Sequence, residues 1–123
     1  MIKVAIIEDD LNLRSMYTFK LEQAGFVVKT ANDGQEGLVL VKEFNPDIVL
    51  LDLMMPLMPG DEMLAHMRAE DWGASTRVII LTNISKDEAP QALRFLHVDR
   101  YIVKAHYTPT QVLEVVREVL HIK

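Results

Sequence analysis

Pro46-Asp47-Ile48-Val49-Leu50-Leu51-Asp52-Leu53-Met54-Met55-Pro56 is the stretch that decides the fold. Ile48 to Leu51 is an unbroken run of branched apolar residues, with a proline on each side. A run that short and that apolar reads as a strand buried on both faces, at the centre of a parallel sheet with helices above and below. Asp52 ends it. A carboxylate inside the sheet would be desolvated, so Asp52 belongs at the strand's carboxyl end, where ligand sites of open α/β sheets lie. The plainer reading, that Asp52 only opens a loop, is weighed against the residues that end the other strands.

Working outward, Lys3 to Ile7 is a second apolar run, closed by Glu8-Asp9-Asp10. Leu13, Met16, Tyr17, Leu21 and Ala24 then recur at helical spacing up to Gly25. Phe26 to Thr30 reads as a strand and Asn32-Asp33-Gly34 as a turn. Leu38, Val41 and Phe44 mark the next helix, which stops before Pro46. Beyond the central strand, Pro56 to Gly60 is a loop, and Asp61 caps a helix with Met63, Leu64 and Met67. Arg77 to Leu81 is a strand closing on Thr82-Asn83. Ser85 caps a helix through Ala92, Leu93 and Leu96, with Pro90 in its first turn or kinking it. Tyr101 to Val103 is a strand ending on Lys104. Thr108-Pro109 starts a last helix, lined by Val112, Val116, Val119 and Leu120. Strand and helix alternate five times, which gives a doubly wound (βα)5 parallel sheet with right-handed crossovers. The flavodoxin-like order 2-1-3-4-5 is the expected topology, with the first and third strands side by side at the switch point.

The chain has 123 residues, enough for a single domain over 1–123 and no effector domain. Its formal net charge of -5 argues against direct nucleic-acid binding, which needs a basic patch. There is no cysteine, so thiolate catalysis and zinc-thiolate sites are excluded. No stretch is long and apolar enough for a signal peptide or a membrane span, and a cytoplasmic location is the default expectation.

Four of the five strands end on a group with chemistry: Glu8-Asp9, Asp52, Thr82 and Lys104. In a 2-1-3-4-5 sheet those ends face one crevice. Three close carboxylates repel one another unless a cation compensates. Magnesium suits them, because it takes oxygen ligands, binds through one or two carboxylates and keeps positions for a phosphate; manganese is the alternative ion. Asp52 is the best-placed nucleophile, and a carboxylate attacking phosphorus forms an aspartyl phosphate. The equatorial oxygens then need neutralising. The metal takes one, Lys104 another and the Thr82 hydroxyl a third.

These motifs resemble the receiver domain of bacterial two-component response regulators, in its chemotaxis-regulator-like form. The resemblance runs the whole length and rests on Ile6-Ile7-Glu8-Asp9-Asp10, Leu50 to Pro56, Pro59-Gly60, Leu81-Thr82-Asn83 and Tyr101-Ile102-Val103-Lys104. It implies that Asp52 is the phosphoacceptor. Asp9, Asp52 and the backbone carbonyl of Met54 become the magnesium ligands, with Glu8 acting through water. Thr82 and Tyr101 become the switch pair, and Lys104 the phosphate-binding lysine. The donor it implies is a sensor histidine kinase or a histidine phosphotransfer protein. Such a domain is a signalling phosphoacceptor rather than a turnover enzyme. Phosphorylation would draw Thr82 toward the phosphoryl oxygens and let Tyr101 rotate inward. The face of the fourth helix, fifth strand and last helix would then meet an output partner or a second, phosphorylated copy.

Two departures from the family stand out. Ala105 replaces the usual proline after the lysine, followed by His106, and Asn83 replaces a small residue after the threonine. With alanine, a cis bond after Lys104 costs about 3–4 kcal/mol. Cis remains the expectation, because Lys104 must point inward. Met54 and Ile84, two residues after Asp52 and Thr82, flank the water's approach to the phosphorus. Both are apolar, so hydrolysis should be slow, unless Asn83 holds the water.

The spacing of His66, His97, His106 and His121 matches no metal motif, and surface positions are expected. The methionines read as packing residues, Trp72 as cover for a core edge and Val115 as off the apolar stripe, facing a partner. A flavin-binding flavodoxin needs a phosphate loop where Glu8-Asp9-Asp10 stands. Aspartate-nucleophile phosphohydrolases place their Asp-x-Asp motif after the first strand. The remaining alternative is a degenerate receiver that binds proteins without phosphorylation, against which the intact Glu8, Asp9, Asp52, Thr82 and Lys104 count.

Overall fold

The computed structural model describes residues 1–123. Its five strands are β1 (Lys3–Ile7), β2 (Val27–Ala31), β3 (Ile48–Leu51), β4 (Arg77–Thr82) and β5 (Arg100–Val103). All pair in parallel, in the order β2-β1-β3-β4-β5. The helices are α1 (Leu11–Gln23), α2 (Gly34–Phe44), α3 (Gly60–Arg68) and α4 (Pro109–Leu120). This is the expected flavodoxin-like architecture, with β3 at its centre.

Strand residues alternate between two cores. Val4, Ile6, Ile48, Leu50, Ile79 and Leu81 pack with residues of α1 and α4. Ala5, Ile7, Val49, Leu51, Val78 and Ile80 pack on the other face with residues of α2 and α3. Period-two alternation divides each strand between the layers. Each fully buried Val, Leu or Ile contributes roughly 1.5–3 kcal/mol, so β3, apolar on both faces, is held from both sides.

Local chemistry fixes the helix ends. The Asp10 carboxylate accepts from Leu13 N–H at 3.0 Å, and Asp33 from Glu36 N–H at 2.8 Å. At α4 the Thr108 hydroxyl accepts from Gln111 N–H at 3.1 Å, while Gln111 Oε1 accepts from Thr108 N–H at 2.8 Å. That reciprocal box, with proline at the first helical position, is the start expected from Thr108-Pro109. The cap of α3 differs from the expected one. The helix starts at Gly60 after Pro59, with no side-chain cap, and Asp61 lies in its first turn, where a negative charge suits the helix dipole.

The largest correction concerns the expected helix from Ser85 to Leu96. Two short 3-10 turns, Lys86–Glu88 and Gln91–Phe95, stand there instead. Ala89 between them is extended, at φ -66° and ψ 149°. The cause is Pro90, which disfavours helical backbone at the residue before it and has no N–H to donate. Ser85 spends its hydroxyl on Glu88 Oε1, at 2.9 Å, and caps no backbone group.

Val115 is a second correction. It is buried in the core beside Val112 and Val116, so the buried face of α4 is wider than one stripe and Val115 does not face a partner. Trp72 packs against the edge of the core formed with α2 and α3, as expected. All four histidines are exposed.

Candidate phosphoacceptor site

Register brings the acidic residues together. Ile7 lies opposite Leu51, and Asp52 N–H donates to Ile7 carbonyl at 3.1 Å. Glu8 and Asp52 therefore leave adjacent strands side by side. Four polar residues of the chain are buried: Glu8, Asp33, Asp52 and Thr82. Asp33 is accounted for by its cap on α2. The other three all stand at the carboxyl ends of strands, so the polar burial that costs most is concentrated at one edge.

Both Asp52 oxygens are engaged. Oδ1 accepts from Met54 N–H at 3.2 Å, and Oδ2 accepts from Lys104 Nζ at 2.8 Å. The same ammonium makes an ion pair with Glu8 Oε1. Glu8 Oε2 accepts from Asp10 N–H at 3.1 Å. Asp9 is exposed, yet carboxylate oxygens of Glu8, Asp9 and Asp52 lie within 4.8 Å of one another. Three carboxylates against one ammonium leave two negative charges unmet. A hard divalent cation fits that oxygen donor set and that deficit.

Burial pushes the Glu8 carboxyl up, against the lowering pull of Lys104 and of Asp10 N–H. Burial alone would lower Lys104, but its hydrogen bonds to Asp52 and Glu8, and their charges, hold it above the usual ammonium range. Geometry favours the charged pair, because one ammonium touches both carboxylates.

Thr82 is fully buried at the end of β4. Its hydroxyl oxygen lies 3.5 Å from Ile84 N–H, a weak contact. Tyr101 is half-buried, and its hydroxyl donates to Ile84 carbonyl at 2.7 Å. Thr82 and Tyr101 thus hold the two sides of one residue. Burial, then the charges of Asp52 and Glu88, raise the Tyr101 phenol above its ordinary value. Met54 and Asn83 are exposed, while Ile84 is half-buried against the core.

The expected cis bond after Lys104 is absent, since every peptide bond is trans. Lys104 still reaches the site. A 3-10 turn over Lys104–His106 redirects the chain, and the lysine's long flexible stem does the rest. His106, the histidine nearest the site in sequence, lies exposed on that turn.

Two contributors carry no signal in the sequence pattern. Arg14 Nη1 donates to Glu8 carbonyl at 2.9 Å, fixing the backbone of the acidic pair from α1. Gly60 lies so close to Asp52 that a Cβ there would collide with the Asp52 carbonyl oxygen. The Pro59-Gly60 motif is legible, but not this contact. We expect Gly60→Ala to displace β3's end and lower stability by about 1–3 kcal/mol, the usual cost of overpacking. Unchanged unfolding would show that the Asp52 backbone tolerates the methyl group.

Residues 4–117 match the family model for the response regulator receiver domain. The chain is 33% identical over 119 residues to a probable transcriptional regulator, ycf27, of Guillardia theta, an alignment that covers 96% of this chain and 45% of that protein. It is 28% identical over 118 residues to the chemotaxis protein CheY of Halobacterium salinarum, covering 96% of both. Among solved structures, Vibrio cholerae chemotaxis protein CheY4 superposes with a TM-score of 0.89 at 28% identity, over 97% of this chain and 98% of that one. The chain therefore spans about half of one relative and nearly all of another.

Proposed function

We propose, from the premise that this chain belongs to the response regulator receiver domain family, that it accepts a phosphoryl group on Asp52 and passes the signal to a partner by changing conformation. The observation that carries this is the Lys104 ammonium shared between buried Asp52 and Glu8 at the strand ends. The donor is a phosphohistidine of a sensor kinase or phosphotransfer protein. An Asp52 oxygen bonds to phosphorus as the phosphorus–nitrogen bond breaks. The imidazole leaves with the electron pair and takes up a proton. The chain's own residues position and neutralise: Lys104 meets one phosphoryl oxygen and the Thr82 hydroxyl another.

Asp9, Asp52 and the Met54 carbonyl are the groups that would hold magnesium or manganese, with Glu8 acting through water. Bound there, the ion supplies charge neutralisation for the third oxygen. This reading makes the chain a phosphoacceptor in the cytoplasm and not a turnover enzyme. No helix is long and apolar enough to cross a membrane.

Output runs through β5, α4 and the two 3-10 turns. A groove of about 980 Å³ lies along the two 3-10 turns and the start of β5, lined by Lys86, Arg94, Phe95, His97, Arg100 and Tyr101 among others. Tyr101 connects it to Thr82 through Ile84. A change of charge at Asp52 that moves Thr82 would alter the packing of Ile84 and Tyr101 beside this surface, which suits an output partner or a second copy.

Incubation with acetyl phosphate and magnesium should add one phosphoryl mass to the protein. The adduct should vanish in Asp52→Ala and in excess chelator. No adduct on the parent protein would leave a receiver fold that binds partners without phosphorylation. A second expected result concerns lifetime. Met54 and Ile84 cannot orient an attacking water. Met54→Asn with Ile84→Glu should speed loss of phosphate after donor removal, by roughly tenfold or ~1.4 kcal/mol of barrier. Equal decay in parent and double variant would place control of the water elsewhere, with Asn83 the next residue to change.

A further inference from the structure

Glu8, Asp9 and Asp10 carry the chain from β1 into α1, and one residue of α1 holds the backbone of that loop. Arg14 Nη1 donates to the Glu8 carbonyl at 2.9 Å and lies 3.5 Å from the Asp9 carbonyl. The Arg14 main-chain N–H donates to the Asp10 carbonyl at 2.9 Å. Consecutive carbonyls of the acidic loop therefore all meet Arg14. The other groups of the loop are tied as well. Glu8 N–H donates to the Ala31 carbonyl at 3.0 Å, Asp10 N–H donates to Glu8 Oε2 at 3.1 Å, and the Asp10 carboxylate caps α1. The Asp9 carboxylate is left for the cluster, with an oxygen within 4.8 Å of carboxylate oxygens of Glu8 and Asp52. Asp9 is exposed, so its direction follows from the backbone beneath it and not from packing.

We propose that Arg14 is a positioning residue for the divalent cation: by holding the Glu8 and Asp9 carbonyls, its guanidinium aims the Asp9 carboxylate at the site it shares with Asp52 and raises the affinity for magnesium. The proposal rests on the metal reading of the acidic cluster. Arg14 acts on a cation in two ways, with opposite signs. As a positive charge near the cluster it repels magnesium. As a clamp on the loop it favours magnesium, because a carboxylate already in place loses little freedom on binding. The clamp outweighs the charge. Arg14 is half-buried, and solvent screens its repulsion. Groups that orient a metal's ligands typically change affinity by about 10–100-fold. Lys104 is the contrasting case, since its ammonium touches the Glu8 and Asp52 carboxylates themselves and competes with the metal for them.

The test is a magnesium titration of the folded, 15N-labelled full chain, read from the amide signals of Glu8, Asp9, Asp10 and Asp52. Arg14→Met keeps an apolar stem and removes the donors and the charge. Its dissociation constant for magnesium should rise about tenfold. Arg14→Lys keeps the charge and a point donor without the planar fork, and should recover only part of the loss. A purely electrostatic role gives the reverse pattern, tighter binding in Arg14→Met and parent-like binding in Arg14→Lys, and that result would overturn the proposal. An unchanged constant in both variants would overturn it too, leaving Arg14 a residue of the fold alone. Should Arg14→Met not fold, Arg14→Lys decides: weaker binding than the parent supports the proposal, and equal or tighter binding overturns it. A parent protein with no saturable shift at these amides would overturn the metal reading of the cluster, and the proposal with it.

Discussion

Lys104→Met is expected to destabilise the metal-free protein by about 3 kcal/mol and to make its stability strongly magnesium-dependent. The ammonium is the one cation touching Glu8 and Asp52, and its side chain is as buried as theirs. Removing one member of a buried ion pair leaves uncompensated charge, at a cost of about 3–5 kcal/mol. The lower end applies here because Asp9 opens the site to solvent. Methionine keeps the stem's packing and removes only the charge. The same loss removes a competitor for the carboxylates. Magnesium should therefore bind the variant more tightly than the parent and raise its melting temperature further. Phosphorylation should nonetheless fall steeply, since one phosphoryl oxygen loses its counter-charge. Melting curves across a magnesium titration, with acetyl phosphate labelling in parallel, read both effects. A variant as stable as the parent without metal would show that the ammonium is not the site's internal counter-ion.

The part of the site that strands encode is legible in the sequence. Apolar runs have sharp ends, and a parallel sheet forces the residue after each end to one edge. Glu8, Asp52, Thr82 and Lys104 are readable for that reason. The segment from Ser85 to Leu96 is not. Ala92, Leu93 and Leu96 carry a helical pattern, and Pro90 sits where it is either a first-turn proline or a breaker. Backbone conformation at Ala89 decides between them, and periodicity does not report it. Lys104-Ala105 fails differently. The inward lysine is foreseeable, but a 3-10 turn meets the requirement with a trans bond. Val115 is assigned by stripe position, which does not predict how wide a buried helix face becomes. Arg68 is invisible for a further reason: its partners are backbone carbonyls, which carry no residue signature.

Those carbonyls make Arg68 the residue on which the irregular segment depends. Nε donates to Leu96 carbonyl at 2.8 Å and Nη2 to His97 carbonyl at 2.7 Å. Nη1 donates to Gly73 carbonyl at 2.9 Å and Thr76 carbonyl at 2.7 Å. One guanidinium on α3 thus ties the connection before β4 to the segment before β5. Burial lowers its pKa, partly offset by Asp99, yet it stays a cation. Leu96 ends the second 3-10 turn and His97 follows it in a left-handed conformation, at φ 54°, so their carbonyls have no partner within a helix and are left to a side chain. Charge-assisted hydrogen bonds contribute about 1.5–3 kcal/mol each, less where solvent can replace them. Arg68→Ala should then cost about 3–5 kcal/mol in denaturant unfolding. Arg68→Lys should recover only part of that, because an ammonium lacks the planar fork. Amide exchange should rise first in residues 91–97, and with it the groove beside Tyr101 should lose its shape. The strand ends that hold Asp52 lie elsewhere, so under folding conditions the Arg68→Lys variant should label with acetyl phosphate like the parent. A loss below about 1 kcal/mol in Arg68→Ala, within the range of an ordinary surface change, would mean that the segment holds itself without the guanidinium.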